Sequence, residues 1–340
     1  MKKSLERYFG TKAFYKMLLA VAIPIMVQQG FTNFVSMLDN IMVGRVGTEQ
    51  MSGVAIVNQI IFVYNLCLFG GLSGVGIFTA QFFGKGDKEG IRNAFRFKLM
   101  LGFGLTALAI AALSIFSEPL IIQFLHDTGD GGSLEATLAY GRQYMSVMLL
   151  GLPAFMMVQV YSSTLRECGE TIIPMKSGIA AVLVNLVFNY LLIYGKLGFP
   201  QLGVTGAAIA TVMSRYVEAA IVMVWTHRHK FVVGVYRSMK VPKQLAKRII
   251  RTGFPLLLNE TLWSAGVAIL TQCYSTRGLN AVAAYNISNT LTTLFNVVFI
   301  AMGNSVGIIV GRLLGCGRMD EAVETNRKII FFDVLLASGI

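Results

Sequence analysis

Charge is scarce in this chain of 340 residues: Asp, Glu, Lys and Arg together make up 14%, against 55% apolar residues. A water-soluble core cannot absorb that much hydrocarbon, so an ordinary soluble domain is excluded. Histidine is rarer, with three copies, and His126, His227 and His229 all fall between apolar runs. That leaves no buried His or metal-ligand cluster for an intramembrane enzyme, and the reading is of a non-enzyme without cofactor. The four cysteines, Cys67, Cys168, Cys273 and Cys316, are too far apart for a disulfide framework or a metal-ligand spacing and read as packing residues. Acids are the scarcer sign, 17 against 29 bases.

What the chain has instead is hydrocarbon in long runs. About 20 helical residues cross roughly 30 Å of lipid, and runs of that length or more cover residues 14–42, 54–83, 97–116, 140–162, 172–194, 204–226, 252–274 and 282–314. A ninth begins near Ile329. Lipid offers backbone groups no water, so spans of this length are helices; barrel strands would be about half as long and would alternate apolar with polar. The expectation is an all-α integral membrane protein with eight complete transmembrane helices and part of a ninth. The first run is too long for a signal peptide and lacks a small-residue cleavage pattern.

The net charge of +12 invites a nucleic-acid reading, but the bases follow the membrane. With a cytoplasmic N-terminus, 24 of the 29 Lys and Arg fall on cytoplasmic segments and four (Arg45, Arg142, Lys196, Arg277) outside, with Arg215 inside a span. This is the positive-inside rule, and it sets orientation and helix number together. Residues 227–251 hold eight basic residues and no acid and read as a cytoplasmic connector facing lipid headgroups. The expected setting is a multi-pass protein of the cell's plasma membrane (the inner membrane), with lipid and no nucleic acid as its surroundings, acting as a monomer.

An offset of 231 residues lays Pro24 on Pro255, Asn58 on Asn289, Asn65 on Asn296, Gly84 on Gly315, Gly86 on Gly317 and Arg96 on Arg327 without a gap. Spans one and seven then correspond and enter from the same side, a parallel repeat of the kind found in secondary transporters. Residues 1–226 read as a six-helix lobe, 227–251 as the connector and 252–340 as the start of a second lobe. Two complete copies predict a twelve-helix parent of two six-helix bundles, with an open frame of about 120 residues beyond codon 340.

Function then lies with the polar residues inside the spans. An intramembrane charge costs at least about 2.5–3.5 kcal/mol and marks a functional site by default. Asp39 stands near the outer end of span one and Glu260 in the inner third of span seven. Gln29, Asn33, Ser36 and Asn40 share one helical face with Asp39 at its edge, and Asn286, Asn289, Thr293 and Asn296 do likewise in span eight. Such stripes line a wet cavity or join helices by amide hydrogen bonds. At the 231 offset Asp39 meets Leu270 and Glu260 meets Gln29, so the acids are not duplicated scaffolding. Both suit an antiporter that exchanges a coupling ion for a cationic substrate. Arg215 and Glu218, three apart, read as a structural pair.

Several of these residues together resemble the multidrug and toxic compound extrusion (MATE) family. The resemblance is carried by Pro24, Gln28 and Asp39 through Val43-Gly44 to Gly47. Ala80-Gln81 with Gly84 and Gly86, Tyr194-Gly195-Lys196 leading into GVTGAAIAT at 203–211, and Pro255 with Asn259-Glu260 extend it. It implies two six-helix bundles arranged as a V and efflux of organic cations driven by entering Na+ or H+. Asp39 and Glu260 match the family's first- and seventh-helix acids, which bind substrate or coupling cation, with Na+ possible at either. Asn189, four residues after Asn185, stands where one branch carries Asp, which aligns the chain with the branch using the seventh-helix Glu. A further acid of that branch lies beyond Ile340. The competing reading, a flippase for lipid-linked saccharides, calls for a cavity lined by Arg and Lys, and the spans offer Arg215 and Arg142.

Overall fold

The computed structural model describes residues 8–124, 133–229, 234–275 and 279–339. Nine long helices follow the order of the nine apolar runs: α1 (Lys12–Gly44), α2 (Thr48–Lys85), α3 (Lys88–Phe124), α4 (Leu134–Glu167), α5 (Ile172–Tyr194), α6 (Gly203–Arg228), α7 (Lys243–Ser275), α8 (Leu279–Gly315) and α9 (Met319–Gly339). There is no β-strand among the described residues. Seven of the helices contain a stretch long and apolar enough to cross a membrane. The other two are α7, whose first turns carry Lys243, Lys247, Arg248 and Arg251, and the more polar α9. Among the described residues between α6 and α7 there is a short 3-10 turn, Val235–Arg237.

Helix ends follow local chemistry. Thr11 and Ser133 cap α1 and α4 by accepting from the backbone N–H of Phe14 and Ala136, which satisfies donors that have no intrahelical partner. Ser133 also donates its own N–H to Glu49 on the first turn of α2, 2.7 Å away. Gly86 closes α2 in the left-handed region, φ +74°, where a side chain would be strained. Phe116 departs from helical geometry in α3, three residues before Pro119, the position at which a proline ring disturbs the preceding turn.

Helices α1–α6 close around one core that includes Val57, Leu68, Phe95, Tyr144, Tyr161 and Val222. A second apolar cluster joins α1 to α8 and α9: Leu18, Val21, Ala22 and Ile25 of α1 pack with Ala301, Met302, Ile308 and Ile309 of α8 and Ile329 of α9. The outer faces carry large apolar side chains such as Leu108, Ile115, Leu150 and Phe254, the surface expected where lipid replaces water. Lys98 is buried instead of reaching the cytoplasmic surface with the bases around it. Its Nζ donates to Glu167 at 2.6 Å, to Ser163 at 2.9 Å and to Thr164 at 3.3 Å, so the pair is neutral and fully hydrogen-bonded.

At the basic end of the molecule α2 and α8, the helices related by the 231-residue repeat, cross each other through glycine. A Cβ on Gly84 would collide with the Arg312 carbonyl, and a Cβ on Gly315 with that of Gln81. Gly84 corresponds to Gly315 and Gln81 to Arg312 at the same offset, so the two contacts are one contact repeated by pseudo-twofold symmetry. Small residues allow helix backbones in lipid to approach this closely. Arg312 fastens the crossing: its Nη2 donates to the Cys168 carbonyl at 2.9 Å and its guanidinium lies 4.5 Å from the centre of the Phe83 ring.

Cys168 follows α4 and is 4% exposed beneath that latch. Burial pushes its thiol up to about 12, so at neutral pH it holds its proton and lacks the reactive thiolate. In a background with the other three cysteines replaced by Ser, Cys168 should therefore react slowly with a membrane-permeant maleimide, faster as pH rises toward that value. Gly84→Val overpacks the crossing by about 1–3 kcal/mol and should raise the neutral-pH labelling rate by about tenfold or more; mass spectrometry of the alkylated protein checks it.

Candidate functional site

Five helices, α1, α2, α4, α5 and α6, surround a cavity of about 390 Å³. Its outer part is built on α1 and α5. Tyr194 ties them by donating to the Met42 carbonyl at 3.2 Å, and Leu202 N–H to Leu192 O, at 2.8 Å, folds the α5–α6 turn back on itself. Asp39 of α1 faces this cavity with Asn185 and Asn189 of α5, which are 5% and 1% exposed. The two asparagines are one helical turn apart, so their amides stack on the face turned to α1.

Asn189 Nδ2 donates to Asp39 Oδ1. The Asn185 amide turns its nitrogen toward the carboxylate, donating to Asp39 Oδ1 at 2.9 Å and Oδ2 at 3.2 Å, while its oxygen accepts from Thr211 Oγ1 at 3.2 Å. Asn189 Oδ1 is buried without a protein partner, an acceptor left over beside the carboxylate.

Below this pair, Tyr144 of α4 donates to Asn58 Oδ1 of α2 at 3.3 Å, and Asn65 lines the wall one helical repeat further along α2. Arg215 of α6 also faces the cavity. Its Nη1 donates to Glu218 Oε2 at 2.8 Å, the pairing expected from their spacing, and its guanidinium carbon lies 5.6 Å from the centre of the Phe155 ring.

The structure thus gathers Asp39, Asn185 and Asn189, with Ser36 and Asn40 from the same α1 stripe. Gln29 and Asn33, earlier on that stripe, are half-buried and stand outside the cavity lining. Glu260 lies elsewhere: its side chain passes over Gly70 of α2, with Cγ 3.5 Å from where a Cβ on that glycine would stand. Asn259 beside it is exposed. Asn286 and Asn289 are on α8, and their side chains lie outside the described residues. Tyr144 and Thr211 were invisible as site residues, because one aromatic or one hydroxyl in an apolar run carries no pattern. Asn58 and Asn65, seven apart on α2, did leave a helical-face signal but stood out only as repeat markers.

The family model MatE matches residues 24–191 and 255–340. The chain is 28% identical over 315 residues to "Probable multidrug resistance protein NorM" of Thermotoga maritima, covering 92% of this chain and 66% of that protein. It is 27% identical over 324 residues to "Multidrug resistance protein MdtK" of Edwardsiella ictaluri, covering 94% and 69%. It therefore spans about two thirds of the length of these curated relatives. Among solved structures, that of MATE in the bent conformation superposes with a TM-score of 0.80 at 25% identity, over 92% of this chain and 68% of the other. An outward-facing multidrug resistance MATE family transporter shares the fold, with a TM-score of 0.77 at 23% identity over 95% and 71%.

Asn189→Leu removes the amide donor from Asp39 and leaves the carboxylate against an apolar neighbour, a loss of about 1.5–3 kcal/mol for a hydrogen bond to a charged group. Asp39→Leu combined with Asn189→Leu should recover most of it, since neither partner is then left unpaired. The unfolding midpoints of the single and double variants purified in detergent measure the difference.

Proposed function

This chain belongs to the MatE family, and from that premise we propose that it forms the first lobe and the beginning of the second of a multidrug efflux antiporter. The observation that carries the proposal is the half-buried Asp39 carboxylate, held by neutral amides at the wall of a cavity of about 390 Å³, a volume suited to a drug-sized guest. A carboxylate in that position binds an organic cation, a coupling ion or a proton, one in place of another. The names of the multidrug resistance relatives support the same reading.

The parent is a twelve-helix protein of two parallel six-helix bundles in the plasma membrane, N-terminus in the cytoplasm, and it works by alternating access about a site near the midplane. Organic cations leave as Na+ or H+ enters. Ionised Asp39 is the cation-binding form, and its protonation releases the cation. For Na+ the donors on offer are oxygens, the carboxylate of Asp39 and the unpartnered Oδ1 of Asn189, a set that suits a hard cation. Glu260, over Gly70, is the second acid of the exchange. Of the residues lining the cavity only Arg215 is basic, too few for the pyrophosphate that a saccharide flippase would carry.

In cells expressing the gene, Asp39→Asn and Glu260→Gln should each cut ethidium efflux by about tenfold or more, the effect of losing one charged contact of roughly 1.4 kcal/mol or above. Undiminished efflux in both variants would remove the two acids from the mechanism. Dissipating the pH gradient and the Na+ gradient separately identifies the coupling ion.

A further inference from the structure

Asp39 and Arg215 are the two charged residues among those lining the cavity, and they stand at different depths. The outer ends of α1 and α6 are level, since a Cβ on Gly203 would lie 3.7 Å from Val46. Asp39 is five residues from the outer end of α1, whereas Arg215 is twelve residues along α6. Counted from Val46 and Gly203, Asp39 is seven residues in and Arg215 twelve, so at 1.5 Å per residue the guanidinium is rooted about 7 Å deeper than the carboxylate.

The polarity of the deeper pair is set by burial. Glu218 is 2% exposed while the Arg215 side chain is 32% exposed, so the acid is behind and the guanidinium in front, facing the cavity. A guanidinium has five N–H donors in a planar fork, and among the described residues Glu218 is the only acceptor it reaches. Phe155 beneath it adds a flat apolar face. At the other pole the surplus is of acceptors: the Asp39 carboxylate and the unpartnered Asn189 Oδ1. One end therefore asks for donors and positive charge, the other for acceptors and negative charge. A structural ion pair has no need of that arrangement, because it holds two helical turns together equally well with the acid in front.

We propose that Arg215 is a specificity-determining residue that binds an acid group of the substrate, so that the cavity takes an ampholyte with its cationic centre toward Asp39 and its carboxylate toward Arg215. The proposal rests on the efflux reading above and narrows its substrate class. A guest with positive charge at both ends meets a like charge at Arg215 in a medium of low dielectric and is disfavoured; a guest with an acid at the deep end gains a charge-assisted, bidentate contact.

Rhodamine 6G, a cationic ethyl ester, and its free acid, which carries a carboxylate on the same ring system, form a matched pair of probes. In cells expressing the gene, initial efflux rates over a range of loading concentrations give an apparent KM for each dye. The expected result is that the wild-type protein exports both. Arg215→Gln should then raise KM for the free acid relative to the ester by about tenfold, Arg215→Lys should restore part of that ratio, and Arg215→Gln with Glu218→Gln should keep the ratio of the single variant. The double variant removes the buried Glu left unpaired, so a folding defect in Arg215→Gln does not block the reading. Equal losses for both dyes in the single and double variants, or an unchanged ratio, would overturn the proposal. Export of the ester alone by the wild-type protein overturns it as well and leaves the efflux reading standing; export of neither dye sinks the efflux reading itself.

Discussion

A carboxylate inside hydrocarbon must be neutralised by a fixed cation, a proton or a guest, and in this protein the acids of the first lobe divide on that point. Glu167 has Lys98 at 2.6 Å and Glu218 has Arg215 at 2.8 Å; each is answered within the fold. Asp39 is held by Asn189 and Asn185, whose amides are neutral. Hydrogen bonds from amides stabilise the negative charge without cancelling it. The charge has no direct ion-pair partner among the described residues, and the surrounding helices hold it in place: α5 supplies the amides, Tyr194 fixes α5 to α1, and Thr211 on α6 orients the Asn185 amide.

Arg215 faces the same cavity, because α1 ends at the level where α6 starts and the two helices place their charged residues at different depths. The inter-lobe contact at the basic end is independent of both. There the glycines of α2 and α8 allow backbone-to-backbone contact, and Arg312 closes over Cys168 and Phe83.

Composition and periodicity made the all-helical membrane architecture and the order of the nine helices legible, because lipid permits so few solutions for a long apolar run. The distribution of bases along the chain carried the orientation expected for it. The 231-residue offset carried the correspondence of α2 with α8, yet not that those two helices touch through the corresponding residues; an internal repeat says which positions are equivalent and nothing about which are adjacent. Lys98 shows the same limit. Counted by position it belonged with the cytoplasmic bases, and only the packing of α3 on α4 turns it inward to Glu167.

For the site, Asp39 stood out in the sequence because any charge in a span does, and Asn185 and Asn189 through the resemblance to a family one branch of which carries Asp at the position of Asn189. Which of the polar residues meet was decided by tertiary structure. Gln29 and Asn33 share a stripe with Asp39 but stand outside the cavity lining, and Glu260 lies over Gly70 on the other side of α2. Tyr144 and Thr211 enter the cavity without any pattern that announces them, and Arg215, legible in the sequence as half of a pair with Glu218, also faces it. Helical periodicity fixes which residues share a face of one helix; the rotation and depth of that helix against its neighbours are set by side-chain packing over the whole lobe, and from those two quantities come the partner of each charge and the polarity of the cavity.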